Sequence, residues 1–287
     1  MDDADWERLI NQLRRGDCTP LLGAGACAGT LPTGSDLSRK YASEYGYPFP
    51  DVTNLSRVMQ WVTSVVKDPV ELKHLLCAHL QSFGVPDDAS SEPHMLLAEF
   101  PITTYLTTNY DDFLFRALTR AGRRPQAEIA KWWEVAPDET PLAEPTSAEP
   151  LVCHLHGSWS MPKSLVLTDF DYITYLINIV EAQSRGSRHP LPRAVVDAMT
   201  AKPLLFIGYS LQDWTFNVLF NGLARNVPRS NKRRHVSVQL IPEIASSVPD
   251  AYEQARKYLT HYLDGWNISI FIGTASQFCE ELRARMT

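Results

Sequence analysis

Two polar side chains stand at a predicted strand-to-helix corner near the middle of the chain. Residues 102–106 form a short apolar run rich in β-branched and aromatic residues, which predicts a buried strand. Asn109 and Asp111 follow it, and Asp111 or Asp112 can cap the helical pattern that begins at Phe113. Ligands bind at the carboxyl ends of strands in open α/β sheets, so Asn109 is a candidate to hold a sugar hydroxyl or a water. The alternative is that Asn109 only bonds the backbone of its own turn.

Two histidines mark a second corner. The stretch 151–158 begins as an alternating apolar run and ends in His156, Gly157 and Ser158. A period of two places His154 and His156 on the same strand face, so both are candidates for a general base that works near neutral pH. Gly157 permits a sharp turn that leaves His156 at the strand tip. The alternative is a hydrogen-bonded structural histidine.

Closely spaced glycines follow the first predicted strand. Residues 19–22 are largely apolar and lead into a glycine-rich loop. The loop consists of Gly23, Ala24, Gly25 and Ala26. Such a loop is typical of a phosphate-binding turn, because backbone N–H groups can approach an anion where side chains are missing. The dinucleotide fingerprint is matched only in part, since its third glycine would fall at Ala28, and a simple tight turn is the alternative.

The clearest buried strand of the sequence leads to a fourth corner. Residues 203–207 are apolar and run into Gly208, Tyr209 and Ser210. Gly208 and Ser210 could meet a ribose or a phosphate, and Asp213 could meet a hydroxyl. Asp213 can instead be only the N-cap of a helix over 214–223.

Strand and helix patterns alternate along the chain, which predicts an α/β fold with a Rossmann-like, mostly parallel sheet. Residues 32–100 interrupt the alternation with helical patterns at 36–45, 55–66 and 70–83, so we expect a helical insertion after the first strand. The insertion could be a lid over a nucleotide site or only packing support. A further short strand is predicted at 165–168. The length and composition are those expected for one domain over 1–287.

Charge and composition exclude several classes of protein. The net charge of −6 and pI near 5.8 argue against a general nucleic-acid or membrane-surface binder, so any link to nucleic acid would be indirect. The acidic N-terminus and the lack of a long apolar run indicate a cytoplasmic protein with no membrane span. Five scattered cysteines indicate neither a disulfide framework nor a cysteine-rich zinc site.

The four corners occur in the order and rough spacing of short motifs in the sirtuin-like family. The sequence resembles most the prokaryotic branch of that family, which acts as NAD-consuming effectors in antiphage defence. The resemblance covers about residues 19–224. Sirtuins that deacylate lysine usually carry a four-cysteine zinc ribbon after the His-Gly motif, whereas this chain has only Cys279 after Cys153. The resemblance therefore implies a metal-free NAD hydrolase that releases nicotinamide and ADP-ribose and depletes NAD.

The resemblance also implies roles for individual residues. Asn109 and Asp111 would position the nicotinamide ribose, and His156 would be the catalytic base. The implied NAD-binding residues are Gly23, Ala24, Gly25, Ala26, Thr108, Asn109, Gly208, Tyr209, Ser210 and Asp213. The sequence departs from the family pattern at Cys27, where the family often has serine.

Two other functions remain open at this point: an NAD-dependent protein deacylase, and a non-catalytic nucleotide-sensing or scaffold module. Effectors that destroy NAD must stay silent until triggered, so the resemblance implies a homo-oligomer, a separate activating partner, or both. The partner types that it suggests are a ring ATPase and a short Argonaute.

Overall fold

The computed structural model describes residues 1–86, 91–134, 142–185, 191–209, 233–241 and 250–287. Within them, seven parallel strands form one sheet in the order β3-β4-β2-β1-β5-β6-β7. The strands are β1 Thr19–Leu22, β2 Thr104–Thr107, β3 Gln126–Ile129, β4 Leu151–His154, β5 Leu204–Ile207, β6 His235–Gln239 and β7 Ile268–Ile272. The predicted α/β fold with a mostly parallel sheet is confirmed.

Helices cover both faces of the sheet. The α-helices are α1 Asp3–Arg14, α2 Gly34–Glu44, α3 Leu55–Val66, α4 Pro69–Gln81, α5 Pro93–Ala98, α6 Phe113–Arg120, α7 Asp169–Arg185, α8 Arg193–Ala201, α9 Ala251–Asp264 and α10 Ala275–Met286. Helices α2 to α5 lie between β1 and β2, where the sequence predicts the insertion. None of the helices in the described ranges is long and apolar enough to cross a membrane.

Both faces of the sheet are buried, and each has its own apolar core. In β5, Leu204 and Phe206 pack into the core beneath α7, α8 and α9, whereas Leu205 and Ile207 pack into the core beneath α1, α5, α6 and α10. A strand buried on both faces is apolar at every position, which explains why β5 reads as a continuous apolar run.

The helical insertion has a third core of its own. Residues of α2, α3 and α4 pack there against Cys27 and Trp159, in the loops after β1 and β4, and against Phe113, the first residue of α6. The insertion is therefore built around the same loops that carry the predicted site residues.

Two predictions from the sequence were wrong or incomplete. The expected strand at 165–168 is extended chain outside the sheet. It is joined to the loop after β4 by the hydrogen bond from Val166 N to His156 O at 2.9 Å. Strand β3 was not predicted, because Gln126–Ile129 has no apolar run. The helix expected over 214–223 lies outside the described residues.

The four strands that lead to the predicted corners lie side by side in the order β4-β2-β1-β5. Since the strands are parallel, their carboxyl ends share one edge of the sheet. The loops that follow β1 and β5 are in direct backbone contact there: Gly25 N donates to Gly208 O at 2.9 Å. A Cβ atom at Gly208, where φ is +70°, would lie 2.1 Å from Ala26 N. Glycine at 208 is thus required both by the backbone conformation and by the close approach.

We expect Gly208→Ala to lower the free energy of unfolding by about 2–5 kcal/mol, the sum of a left-handed backbone penalty and a steric clash. Gly122→Ala is the matched control, because Gly122 has φ +78° but no atom lies within 4 Å of the place that a Cβ would occupy there. The control should lose only about 1–2 kcal/mol. Urea denaturation of both variants measures the difference, and equal losses would show that the backbone contact carries no energetic weight.

Candidate active site

The corner after β2 is tied to the end of β1. Thr108 donates to Leu22 O from its backbone N at 2.9 Å and from Oγ1 at 3.3 Å. The backbone N of Asn109 donates to Thr107 Oγ1 at 3.0 Å. These bonds turn the chain out of the strand and bury Asn109 to 8% exposure.

The side chain of Asn109 bridges the corner to the loop after β1. Its Nδ2 donates to Gly23 O at 3.1 Å and to Cys27 Sγ at 3.2 Å. Because a backbone oxygen can only accept, the contact with Gly23 O fixes which end of the amide is the nitrogen. Among the described residues no donor bonds to Oδ1 of Asn109. The carbonyl end of the amide is therefore the end that can accept a hydrogen bond from a ligand.

Asp111 is held by two partners. Its Oδ1 accepts from Phe113 N at 3.0 Å. Asp112 occupies the N-cap position of α6 without a side-chain capping bond, so Asp111 supplies the hydrogen bond to the first helical amide. Its Oδ2 accepts from the Cys27 thiol at 3.2 Å. Burial, followed by the charge of Asp111, raises the pKa of Cys27 well above its ordinary value, so the thiol stays protonated and donates.

His94 and Glu92, which the sequence analysis did not single out, complete this group. His94 Nε2 lies 3.9 Å from Cys27 Sγ. Its Nδ1 is hydrogen-bonded to Glu92 Oε1, and Glu92 Oε2 accepts from Met95 N at 2.7 Å to cap α5. Cys27, His94 and Asp111 are all buried.

The structure separates the roles of the two histidines near β4. His154 Nδ1 lies 3.1 Å from the backbone oxygen of Asn109, and since that oxygen can only accept, Nδ1 carries the proton. Burial also lowers the pKa of His154, so the ring is neutral. His154 therefore supports the corner that carries Asn109.

His156 lies just beyond β4 and is 6% exposed. Its ring meets Tyr172 and Tyr175 edge-on, at centroid distances of 5.3 and 5.2 Å. Burial lowers the pKa of His156 to about 4, so the imidazole is neutral at pH 7. Gly157 has φ +90°, and a Cβ there would lie 2.3 Å from Ser164 O, so only glycine allows this turn.

The corners after β2 and β4 are joined by hydrogen bonds to backbone oxygens of the first corner, and the side chains of Asn109, Asp111 and His156 take no part in them. Trp159 N donates to Tyr110 O at 2.8 Å, and Ser158 Oγ donates to the same oxygen at 3.4 Å. No hydrogen bond links the ring of His156 to Asn109 or Asp111 within the described part of the chain. A substrate between the two corners would have to bridge these side chains.

The sequence predicts that the glycine-rich loop binds phosphate, but in the structure three of its amides bond to backbone oxygens of the protein itself. It continues into a short 3₁₀ helix, Ala24–Cys27, which places Cys27 beside Asn109. The amides of Gly23, Gly25 and Ala26 already donate to Ile207 O, Gly208 O and Gly23 O, each at 2.9 Å. Binding a phosphate through these three amides would require them to exchange those partners.

The structure places the last group of predicted residues only in part. Gly208 touches the glycine-rich loop, and Tyr209 is buried with its backbone oxygen accepting from Gln239 Nε2 at 2.7 Å. Ser210 and Asp213 lie outside the described residues.

Several residues of this arrangement lie in a part of the sequence that matches a known protein family. A family model described as "SIR2-like domain" matches residues 103–271, more than half of the chain. The match begins just before β2 and ends within β7, so it includes the corners at Asn109, His156 and Gly208.

Individual relatives carry the name "NAD(+) hydrolase ThsA". The protein from Acinetobacter baumannii (strain 532279) is 23% identical over 237 residues, which is 81% of this chain and 44% of that protein. The protein from Enterococcus faecium is 28% identical over 254 residues, which is 87% of this chain and 49% of that protein. The chain thus spans less than half the length of these two relatives.

We expect His156 to make the fold sensitive to acid. The pKa of a histidine is near 6.5 in the unfolded chain, whereas that of His156 in the folded protein is about 4. As the pH falls, the unfolded state therefore binds this proton before the folded state does. Stability is therefore lost as the pH falls from about 6.5 towards 4, and at pH 5 the loss is about 2 kcal/mol.

The comparison of unfolding free energies at pH 7.5 and pH 5 tests this contribution. His156→Gln should lose about 2 kcal/mol less than the wild-type protein over this range. His74→Gln, at an exposed position on α4, serves as the control variant. The same acid sensitivity in wild type and His156→Gln would mean that the ring is hydrated in the folded protein.

Proposed function

Because the chain belongs to the SIR2-like family, we propose that it is an NAD hydrolase that cleaves the nicotinamide–ribose bond to give nicotinamide and ADP-ribose. The observation that carries the proposal is the placement of Asn109, Asp111 and His156 at the ends of adjacent parallel strands, all buried at one edge of the sheet. The relatives named NAD(+) hydrolase ThsA support the same reaction.

Asn109 would orient the substrate through its carbonyl end. Both N–H groups of its amide are engaged by Gly23 O and Cys27 Sγ, which locks the side chain without help from a ligand. The locked Oδ1 can accept a hydrogen bond from a ribose hydroxyl or from the attacking water. Positioning of this kind lowers the entropic part of the barrier before the bond breaks.

Asp111 would act through its charge. Cleavage passes through an oxocarbenium-like state in which positive charge develops on the ribose, while nicotinamide departs as a neutral molecule. The leaving group therefore needs little acid assistance, and a fixed carboxylate in a buried site stabilises the cation. The bonds from Phe113 N and the Cys27 thiol hold the Asp111 carboxylate in place.

His156 would accept a proton from the attacking water or from the ribose 3′-hydroxyl. In the protein without ligand its low pKa makes it a weak base. The negative pyrophosphate of a bound dinucleotide would raise that pKa, because an opposite charge favours the protonated ring. Substrate binding itself would then bring the base into its working range.

We further propose that residues 1–287 form one sirtuin-like domain and act in the cytoplasm as an NAD-depleting effector of antiphage defence. Its activity would be controlled by homo-oligomer formation, by a separate activating partner of the ring-ATPase or short-Argonaute type, or by both. The third core joins the helical insertion to Cys27 and Phe113, which supports a role for α2 to α4 as a lid over the substrate.

The experiment is to measure nicotinamide release from NAD over a range of protein concentrations. We expect His156→Ala and Asn109→Ala to reduce turnover by at least about 100-fold, the lower end of what a general base supplies. His261→Gln, exposed on α9, is the control and should keep full activity. A steep rise of specific activity with protein concentration would support activation by self-assembly.

Two outcomes would contradict the proposal in different ways. Full activity in a folded His156→Ala protein would remove His156 from the mechanism. Tight binding of NAD without hydrolysis, at every concentration and with candidate partners present, would favour a non-catalytic sensor. Circular dichroism of each variant separates loss of catalysis from loss of fold, which matters because Asn109 and His156 are both buried.

A further inference from the structure

We propose that Cys27, His94 and Asp111 bind one Zn²⁺ ion. Each residue offers one ligand atom, and the three atoms lie within 4.8 Å of one another. The residues come from the short helix after β1, from α5 and from the corner after β2. The fold therefore brings together three ligand types that zinc accepts, from positions far apart in the sequence.

Two of the three ligand separations lie near those of a tetrahedral ion. Zinc bonds of about 2.3 Å to sulfur and about 2.0–2.1 Å to nitrogen or oxygen place such ligands about 3.5 Å apart. Cys27 Sγ lies 3.2 Å from Asp111 Oδ2 and 3.9 Å from His94 Nε2, one slightly closer and the other slightly farther than this spacing. Small side-chain rotations would complete the geometry.

Each ligand is already held by an outer partner in an orientation that suits metal binding. Glu92 Oε1 engages His94 Nδ1, which turns Nε2 towards Cys27 and follows the carboxylate–histidine–metal pattern of known sites. Phe113 N engages Asp111 Oδ1 and leaves Oδ2 for the ion.

Asn109 supplies the outer partner of the sulfur. Its Nδ2 donates to Cys27 Sγ, a bond that would stabilise a metal-bound thiolate. Cys27 would release its proton to solvent as the sulfur–zinc bond forms, and this bond replaces the hydrogen bond from the thiol to Asp111.

The ligand set selects the kind of metal. Thiolate and imidazole favour zinc over magnesium or calcium, which prefer oxygen ligands alone. Three protein ligands leave one coordination position open. An ion at this place would engage Asp111 and the partner of Asn109, so we expect zinc to inhibit NAD hydrolysis. That inhibition rests on the proposed function, whereas the binding itself does not.

The experiment measures metal binding without NAD. Zn²⁺ is titrated into the purified protein in competition with a chromophoric chelator, and Co²⁺ is used as a second probe because thiolate–cobalt bonds give charge-transfer absorption. We expect one ion per chain. Cys27→Ser should abolish the charge-transfer absorption and, like His94→Gln, weaken zinc binding by more than about 10-fold. Glu92→Gln, which can still cap α5, should weaken it by about 10–100-fold.

Matched controls come from side chains outside the cluster. Cys77→Ala and His79→Gln, both on α4, should bind zinc as the wild type does. Retained affinity in both Cys27→Ser and His94→Gln would overturn the proposal, as would the lack of stoichiometric binding.

X-ray absorption of the zinc-loaded wild-type protein provides a test that needs no variant. One sulfur ligand per zinc is expected, and coordination by nitrogen and oxygen alone would overturn the site. The two proposals also fail separately. Protein that hydrolyses NAD but binds no zinc overturns only the metal site, and protein that binds zinc but never hydrolyses NAD overturns only the enzymatic proposal.

Discussion

The close approach of the loops after β1 and β5 is the constraint on which the site depends. With no side chain on Gly25 or Gly208, the two backbones meet directly, and the short helix Ala24–Cys27 is drawn over the edge of the sheet. This position brings Cys27 within hydrogen-bonding distance of both Asn109 and Asp111. Two glycines thus determine where the polar groups of a neighbouring strand are anchored.

The loops after β1 and β4 and the start of α6 also line the core of the helical insertion. Cys27, Phe113 and Trp159 contribute apolar surface to the third core, and Cys27 Sγ and Phe113 N also donate hydrogen bonds to Asp111. Packing of α2 to α4 and alignment of the candidate catalytic groups are therefore coupled through single residues. A shift of the insertion would move the thiol that holds Asn109 and Asp111.

How far the sequence could predict this structure depends on the range of the contacts. The parallel sheet and the Asn109 corner were predictable, because each follows from a local apolar run and its flanking polar residues. The approach of His94 to Cys27 was not, since 67 positions separate them and no motif links them. The strand predicted at 165–168 failed because Leu165 and Leu167 face the insertion core while Val166 faces the sheet core. Burial of alternate residues in two separate cores gives the same sequence pattern as a strand with both faces buried, and this is why the prediction failed.

The strand order has a consequence for how the protein is made. Strand β1 pairs on one side with β5, so that Thr19 lies beside Leu204. During synthesis, β1 cannot pair with β5 until about 185 further residues have been added, which takes on the order of 10–40 s at ordinary rates of synthesis. Until Gly208 emerges, the loop after β1 lacks the backbone partner that positions Cys27. The growing chain therefore cannot assemble this site until translation has passed Gly208.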